Sequence, residues 1–167
     1  KNVRENVGLL DMTAFAKCRI KGPKAEEFLN KLVANKLPKK IGRINLCHAL
    51  NTKGGVHSEF TIMRESEDSF YLVSAGAFQR LDHDWIYNWM PKDGSVQFEN
   101  LTNSIGVLVV SGPKARTLMQ KISKTDFSND KFKWLSAQNI NIGLAPCNAM
   151  RVNFVGELGW ELHHPIE

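Results

Sequence analysis

Several absences narrow the reading at once. No apolar run approaches the roughly 20 residues that a membrane-spanning helix requires. The opening segment, residues 1–11, is charged and lacks the apolar core of a secretion signal. Together these point to the cytoplasm, or to the mitochondrial matrix in a eukaryote. Cysteine is scarce: Cys18, Cys47 and Cys147 are three in number, widely spaced and without a CxxC pair. That pattern builds neither a disulfide framework nor a zinc site, so each cysteine reads as a small buried hydrophobe. No Gly-x-Ser-x-Gly nucleophile turn is present, and nothing assembles a serine or cysteine triad. Lys53-Gly54-Gly55-Val56 lacks the phosphate-loop spacing, and Gly156-Glu157-Leu158-Gly159 lacks the dinucleotide spacing.

What is present is enough for a core. The 167 residues are 43% hydrophobic, which excludes a disordered chain. The net charge of +5 suits an anionic small molecule as well as plain solubility. The lysines are scattered, and the one dense basic cluster, residues 36–43, holds Pro38 and Gly42 and so reads as a solvated loop. Nucleic acid is therefore not the expected partner.

The chain repeats itself. Residues 18–32 read CRIKGPKAEEFLNKL and residues 108–122 read LVVSGPKARTLMQKI, an offset of 90. Each copy is a short apolar strand, then Gly-Pro-Lys-Ala, then a helix with Ala25, Phe28, Leu29 and Leu32, or Ala115, Leu118, Met119 and Ile122, at helical spacing. Pro23 and Pro113 are expected in the first helical turn. Alternation predicts strands over 45–50, 56–63, 69–74, 96–101, 105–111, 140–142, 149–155 and 160–163, and a helix over 77–90 stopped by Pro91. The fold class is α+β with mixed antiparallel sheets, in two related halves of about 1–100 and 101–167.

Two carboxylates merit separate treatment. Asp82 has Phe78, Gln79, Trp85 and Ile86 as helical neighbours. One reading is a partly desolvated carboxylate, a better proton acceptor near neutral pH. The other is a solvated helix carboxylate beside His83 and Asp84, and spacing alone favours it. Glu157 stands between Gly156 and Gly159, which let the backbone bend sharply or a flat ligand approach. A carboxylate there can accept two parallel N–H bonds from a planar donor; the plainer reading is an exposed hairpin residue.

Other candidates are weaker. His163 and His164 are adjacent in a strand and face opposite ways, so they do not chelate one ion. His48, His57 and Glu59 converge only if the hairpin register allows. Phe70 and Tyr71 alternate across their strand, one ring for the core. Trp134 reads as a packing anchor.

Taken in order, the motifs resemble the aminomethyltransferase (T-protein) superfamily, and more closely the folate-binding region of dimethylglycine and sarcosine dehydrogenases and oxidases. The residues that carry the resemblance are Gly8-Leu9-Leu10-Asp11-Met12-Thr13, Leu50-Asn51 through Gly54-Gly55-Val56, Gly112-Pro113, Asp126-Phe127-Ser128-Asn129-Asp130, and most specifically 151–162, RVNFVGELGWEL. Ser74-Ala75-Gly76 stands where T-proteins usually carry Asn-Ala, and His57-Ser58-Glu59 where they often carry paired aspartates. Both departures favour the dehydrogenase branch.

The resemblance implies a T-protein-like fold that includes a ferredoxin-like unit. It implies tetrahydrofolate in a central hole, with Asp82 catalytic, Glu157 gripping the pterin edge and Asp84 a lesser cofactor neighbour. The reaction implied is transfer of a one-carbon unit from a small N-methyl amine, giving 5,10-methylenetetrahydrofolate. FAD is expected only in an upstream flavin module that this chain lacks, so the chain is expected to be a fragment. A flavin dehydrogenase module and self-association are the implied partners. Two alternatives stand beside this: a non-catalytic folate-fold module, and a folate-dependent demethylase of another methyl donor.

Overall fold

The computed structural model describes all residues, Lys1–Glu167. In chain order it runs α1 (Asn2–Glu5), β1 (Gly8–Asp11), β2 (Ala16–Lys21), α2 (Ala25–Leu32), β3 (Ile44–Leu50), β4 (Val56–Arg64) and β5 (Ser69–Ser74). It continues through α3 (Gln79–Trp89), β6 (Gln97–Asn100), β7 (Ile105–Ser111), α4 (Ala115–Ile122), β8 (Ala137–Ile142), β9 (Ala145–Met150) and β10 (Gly159–Pro165). The fold is α+β, with two antiparallel five-stranded sheets. One compact unit, Ala14–Thr102, holds the sheet β3-β4-β5-β2-β6; the other, Lys1–Thr13 with Asn103–Glu167, holds β1-β7-β10-β9-β8.

The 90-residue repeat is a repeat of topology. In one unit β2, α2, β3, β4 and β5 form the run; in the other β7, α4, β8, β9 and β10 do, with the same neighbours. Lys21 pairs with Ser69, and Ser111 with Gly159, so the offset survives into the last strand. The fifth strand enters differently: β6 follows its run, whereas β1 precedes its own and pairs with β7 from Gly8↔Ser111 to Asp11↔Leu108. The first 13 residues therefore group with the C-terminal unit, unlike a simple cut near residue 100. Four residues of β1 carry too little pattern to reveal partner residues 97 to 103 positions away. Within Ala14–Thr102, β2-α2-β4-β5-α3-β6 has the ferredoxin-like order, with β3 added outside β4.

Each Gly-Pro turn is fixed by a close backbone approach. Gly22 has φ +127° and Gly112 φ +131°, values that L side chains rarely adopt. A Cβ would lie 2.4 Å from the Ser95 carbonyl oxygen at Gly22 and 2.5 Å from that of Asn6 at Gly112. The same two oxygens accept the Lys24 and Lys114 amides at 3.3 and 2.9 Å. Gly22 N–H donates to Asp68 O and Gly112 N–H to Leu158 O, again 90 residues apart. Pro23 and Pro113 sit in the turn just ahead of each helix, not within its first turn, because Lys24 and Lys114 are the N-caps.

Each helix lays its apolar face on its own sheet. Ala25, Phe28, Leu29 and Leu32 pack with Ile20, Phe60, Ile62, Phe70 and Leu72. Ala115 and Met119 pack with Phe127, Phe132, Ile140, Leu162 and Trp160. Trp160 is fully buried and meets Phe127 and Phe132 edge-on at 5.3 and 6.0 Å, the pairing their quadrupoles favour. It is the packing anchor expected at Trp134, which is 51% exposed. The strand expected over 149–155 ends instead at Met150 and begins at Ala145. Pro146 and Asn148 mask its start, and Gly156 at φ +77° lies in the loop that replaces its end.

All three cysteines are buried and free. Burial pushes the Cys47 and Cys147 thiols up to about 11, from an ordinary value of 9.0. A raised thiol pKa in the folded state means that the unfolded chain ionises first. Stability should be constant below about pH 9 on this account and fall as pH rises toward 11, as urea titrations across that range would show. Gly112→Ala should cost roughly 2–4 kcal/mol, read from the urea midpoint, through strain and the Asn6 clash together.

Candidate functional site

The end of β5 and the start of α3 are tied together by a glycine. Gly76 opens a one-turn 3-10 helix, Gly76–Phe78, that runs into α3. A Cβ there would stand 1.8 Å from the Ala14 carbonyl oxygen, so only glycine fits. This contact sets where α3 begins and places Asp82 in its first turn, where the helix dipole favours a carboxylate. Asp82 is 3% exposed. The solvated reading that spacing favoured is thus incorrect: residues 78–89 turn Asp82 and Ile86 inward together.

Two hydroxyls hold the carboxylate. Ser58 on β4 donates from Oγ to Asp82 Oδ1 at 2.6 Å, and Ser74 at the end of β5 donates to Oδ2 at 2.6 Å. These are the short contacts expected of charge-assisted O–H bonds. Each oxygen keeps further acceptor capacity. Both serines fall in the segments where the sequence departs from the T-protein pattern, yet nothing in their spacing marks them as Asp82 donors, because they come from separate strands. Nearby, burial holds the Cys18 thiol protonated, and the Asp82 charge adds to the effect. His83 lies at 4.8 Å from Phe98, and burial lowers its imidazolium pKa against the opposing pull of Asp82 and Asp84.

A bulge re-aims the residue before Ser58. Ala49 pairs with Ser58 and Leu50 with Val56, leaving His57 without a cross-strand partner. Its ring lies on Trp85, centroids 4.0 Å apart and planes at 30°. His57 Nε2 and Trp85 Nε1 are buried with no hydrogen-bond partner. His57 therefore leaves His48, which binds Glu59 at 2.9 Å. No three His, Cys, Asp or Glu side chains are grouped to hold a metal ion. Asp84 is exposed, with Arg80 Nε 3.9 Å away, and does not join the Asp82 cluster.

Glu157 is in the other unit, in the loop between β9 and β10. Asn153 organises this loop: its Oδ1 accepts the Val155 amide and its Nδ2 donates to Ser111 Oγ, both at 2.9 Å. Gly159 must be glycine because a Cβ would meet Val110 O at 2.4 Å. The Glu157 side chain is 26% exposed. Its one ionic neighbour is the outlying Arg4, at 3.8 Å and 82% exposed, a contact of small energetic weight. His163 and Glu161 form a buried pair at 3.2 Å, while His164 faces the other way and hydrogen-bonds Pro165 O. Phe70 and Tyr71 are both buried.

The sequence profile of the GCVT N-terminal domain family matches residues 1–167. The chain belongs to this family. It is 38% identical over 168 residues to a mitochondrial dimethylglycine dehydrogenase of Mus musculus, covering 100% of this chain and 19% of that protein. It is 32% identical to an aminomethyltransferase of Thermoanaerobacter sp. and covers 44% of it, with 98% of this chain aligned. A sarcosine oxidase subunit alpha of Corynebacterium sp. is also 32% identical, with 98% of this chain and 18% of that subunit aligned. The chain thus spans about a fifth of the dimethylglycine dehydrogenase it matches. The crystal structure of glycine cleavage system aminomethyltransferase T from Bartonella henselae superposes with a TM-score of 0.83 at 22% identity, over 99% of this chain and 44% of that one. That likeness establishes the T-protein fold. No helix is long and apolar enough to cross a membrane.

Removing either hydroxyl leaves a buried carboxylate one donor short. Ser58→Ala and Ser74→Ala should each lower stability by roughly 1.5–3 kcal/mol in urea unfolding at pH 7. In Asp82→Asn, where no charge is stranded, the same serine changes should cost markedly less.

Proposed function

We propose that this GCVT-family chain binds tetrahydrofolate for one-carbon transfer from an N-methyl amine of the dimethylglycine or sarcosine type. The observation that carries the proposal is Asp82: a carboxylate 3% exposed, in the first turn of α3, held by two hydroxyls with acceptor capacity to spare. A buried carboxylate of this kind is costly unless it has work to do. The named activities of the dimethylglycine dehydrogenase and sarcosine oxidase relatives support the amine class.

The residues suit the group. Glu157 accepts no hydrogen bond from the protein, which leaves both oxygens for the paired N–H edge of a pterin. Bound folate would supply the nitrogen that takes up the one-carbon unit. Asp82 would accept or steer the proton lost at that nitrogen, and its charge would stabilise cationic character that develops there. Glu157 would orient the ring, an effect on position rather than on the proton. Ser58 and Ser74 hold Asp82 in one rotamer. Asp84, exposed beside Arg80, carries no part of the proposal.

Titration of the chain with tetrahydrofolate, followed by tryptophan fluorescence, should saturate. Glu157→Gln should weaken binding about tenfold or more, and Asp82→Asn should leave it within about threefold. In the full-length protein Asp82→Asn should slow transfer by roughly 10²–10⁴. Absence of saturable binding would remove the folate reading, and unchanged turnover would remove Asp82 from the chemistry.

A further inference from the structure

A second charged cluster lies apart from any of the carboxylates discussed. Arg116 on α4 and Arg151, just past β9, both reach the segment 123–136. Arg116 Nη2 and Arg151 Nη2 donate to the same acceptor, Asn129 Oδ1, at 2.7 and 2.8 Å. Arg116 Nε also donates to Phe127 O at 2.8 Å, and Arg151 Nη1 to Phe132 O. Both guanidiniums lie over Trp160, 6.0 and 5.7 Å from its ring. The segment is thereby pinned to the core by two cations that share one neutral oxygen.

The electrostatics of this arrangement are incomplete. No carboxylate is within ion-pair distance of either arginine. Of the two acids in the segment, Asp126 takes up the Ser128 amide at 2.8 Å, and Asp130 pairs with neither guanidinium. Arg151 Nε is buried without an acceptor. Burial and then the Arg116 charge lower the Arg151 pKa, as uncompensated like charges should. Each guanidinium has five N–H donors and uses two here, so donors are left over on both. Asn129 itself is exposed, so a solute can reach the cluster.

We propose that Arg116, Arg151 and Asn129 form a binding site for a small oxyanion, a phosphate or carboxylate group, that locks segment 123–136 onto Trp160. Paired forks of this kind match the oxygens of both groups, and the anion supplies the missing negative charge. This site is independent of the folate reading and of Asp82 and Glu157.

The test is thermal unfolding of the 167-residue chain in chloride, inorganic phosphate or glutarate at equal ionic strength. Phosphate or glutarate at tens of millimolar should raise the midpoint by roughly 2–4 °C, and the arm that acts identifies the group. Asn129→Asp places a carboxylate between the two cations. It should raise the midpoint in chloride and abolish the response to the oxyanion. Arg116→Gln, which leaves Arg151 on Trp160, should also lose the response. Comparing the variants cancels the general stabilising action of phosphate on folded proteins. No response in the unmodified chain, or an equal response in Asn129→Asp, would overturn the site.

Discussion

At Gly22 and Gly112 a backbone oxygen occupies the space in which a side chain would begin. That contact governs much of what surrounds it. It requires a positive φ, which ends the strand; it anchors the amide of the following lysine, which starts the helix; and the helix can then fold back over its sheet. Because the oxygens belong to Ser95 and Asn6, each turn also binds a distant stretch of its own unit, the approach to β6 in one case and to β1 in the other. Each edge strand is thus held by the same residue that terminates the strand it pairs with. Gly76 applies the principle a third time, against Ala14, and there it sets the register of α3.

The register of α3 matters because Asp82 is useful only if it is buried at the right rotation. One residue earlier or later along the helix the chain offers Leu81, with no acceptor, and His83, with at most one, and neither could accept from both Ser58 and Ser74. Asp84, two positions on, is exposed. The difference between a buried, doubly hydrogen-bonded carboxylate and a surface charge is about half a helical turn. Glu157 is governed in another way, by an Asn-braced, glycine-flanked loop that leaves its oxygens unclaimed by the protein.

The fold was legible where local pattern and local structure coincide. The Gly-Pro-Lys-Ala repeat, the amphipathic helices and the strands over 45–50, 56–63, 69–74 and 105–111 all show the periods their burial requires. Legibility failed where the deciding partner is remote or the residues are polar. β9 contains Pro146 and Asn148, and β1 is four residues long with a partner near residue 110. Asp82 looked solvated because its flanks are His83 and Asp84, while its hydroxyl donors arrive from two other strands. Family resemblance pointed to Asp82 despite this, because motif order carries information that helical spacing does not. The His57 bulge had no sequence signal: a shift of cross-strand pairing leaves composition unchanged.

The placement of β1 has a consequence for how the chain assembles during synthesis. Ala14–Thr102 is continuous, so all its strands are available once residue 102 has emerged. The other unit opens with β1, ahead of Ala14–Thr102, and closes only with β10, well after it. Its edge strand must therefore wait, unpaired, while the whole intervening sheet is translated, and loop closure across that interval is slow. An early strand left open for so long is an invitation to mispair. β1 meets that hazard with brevity, since four residues offer a stray partner very little backbone to hold.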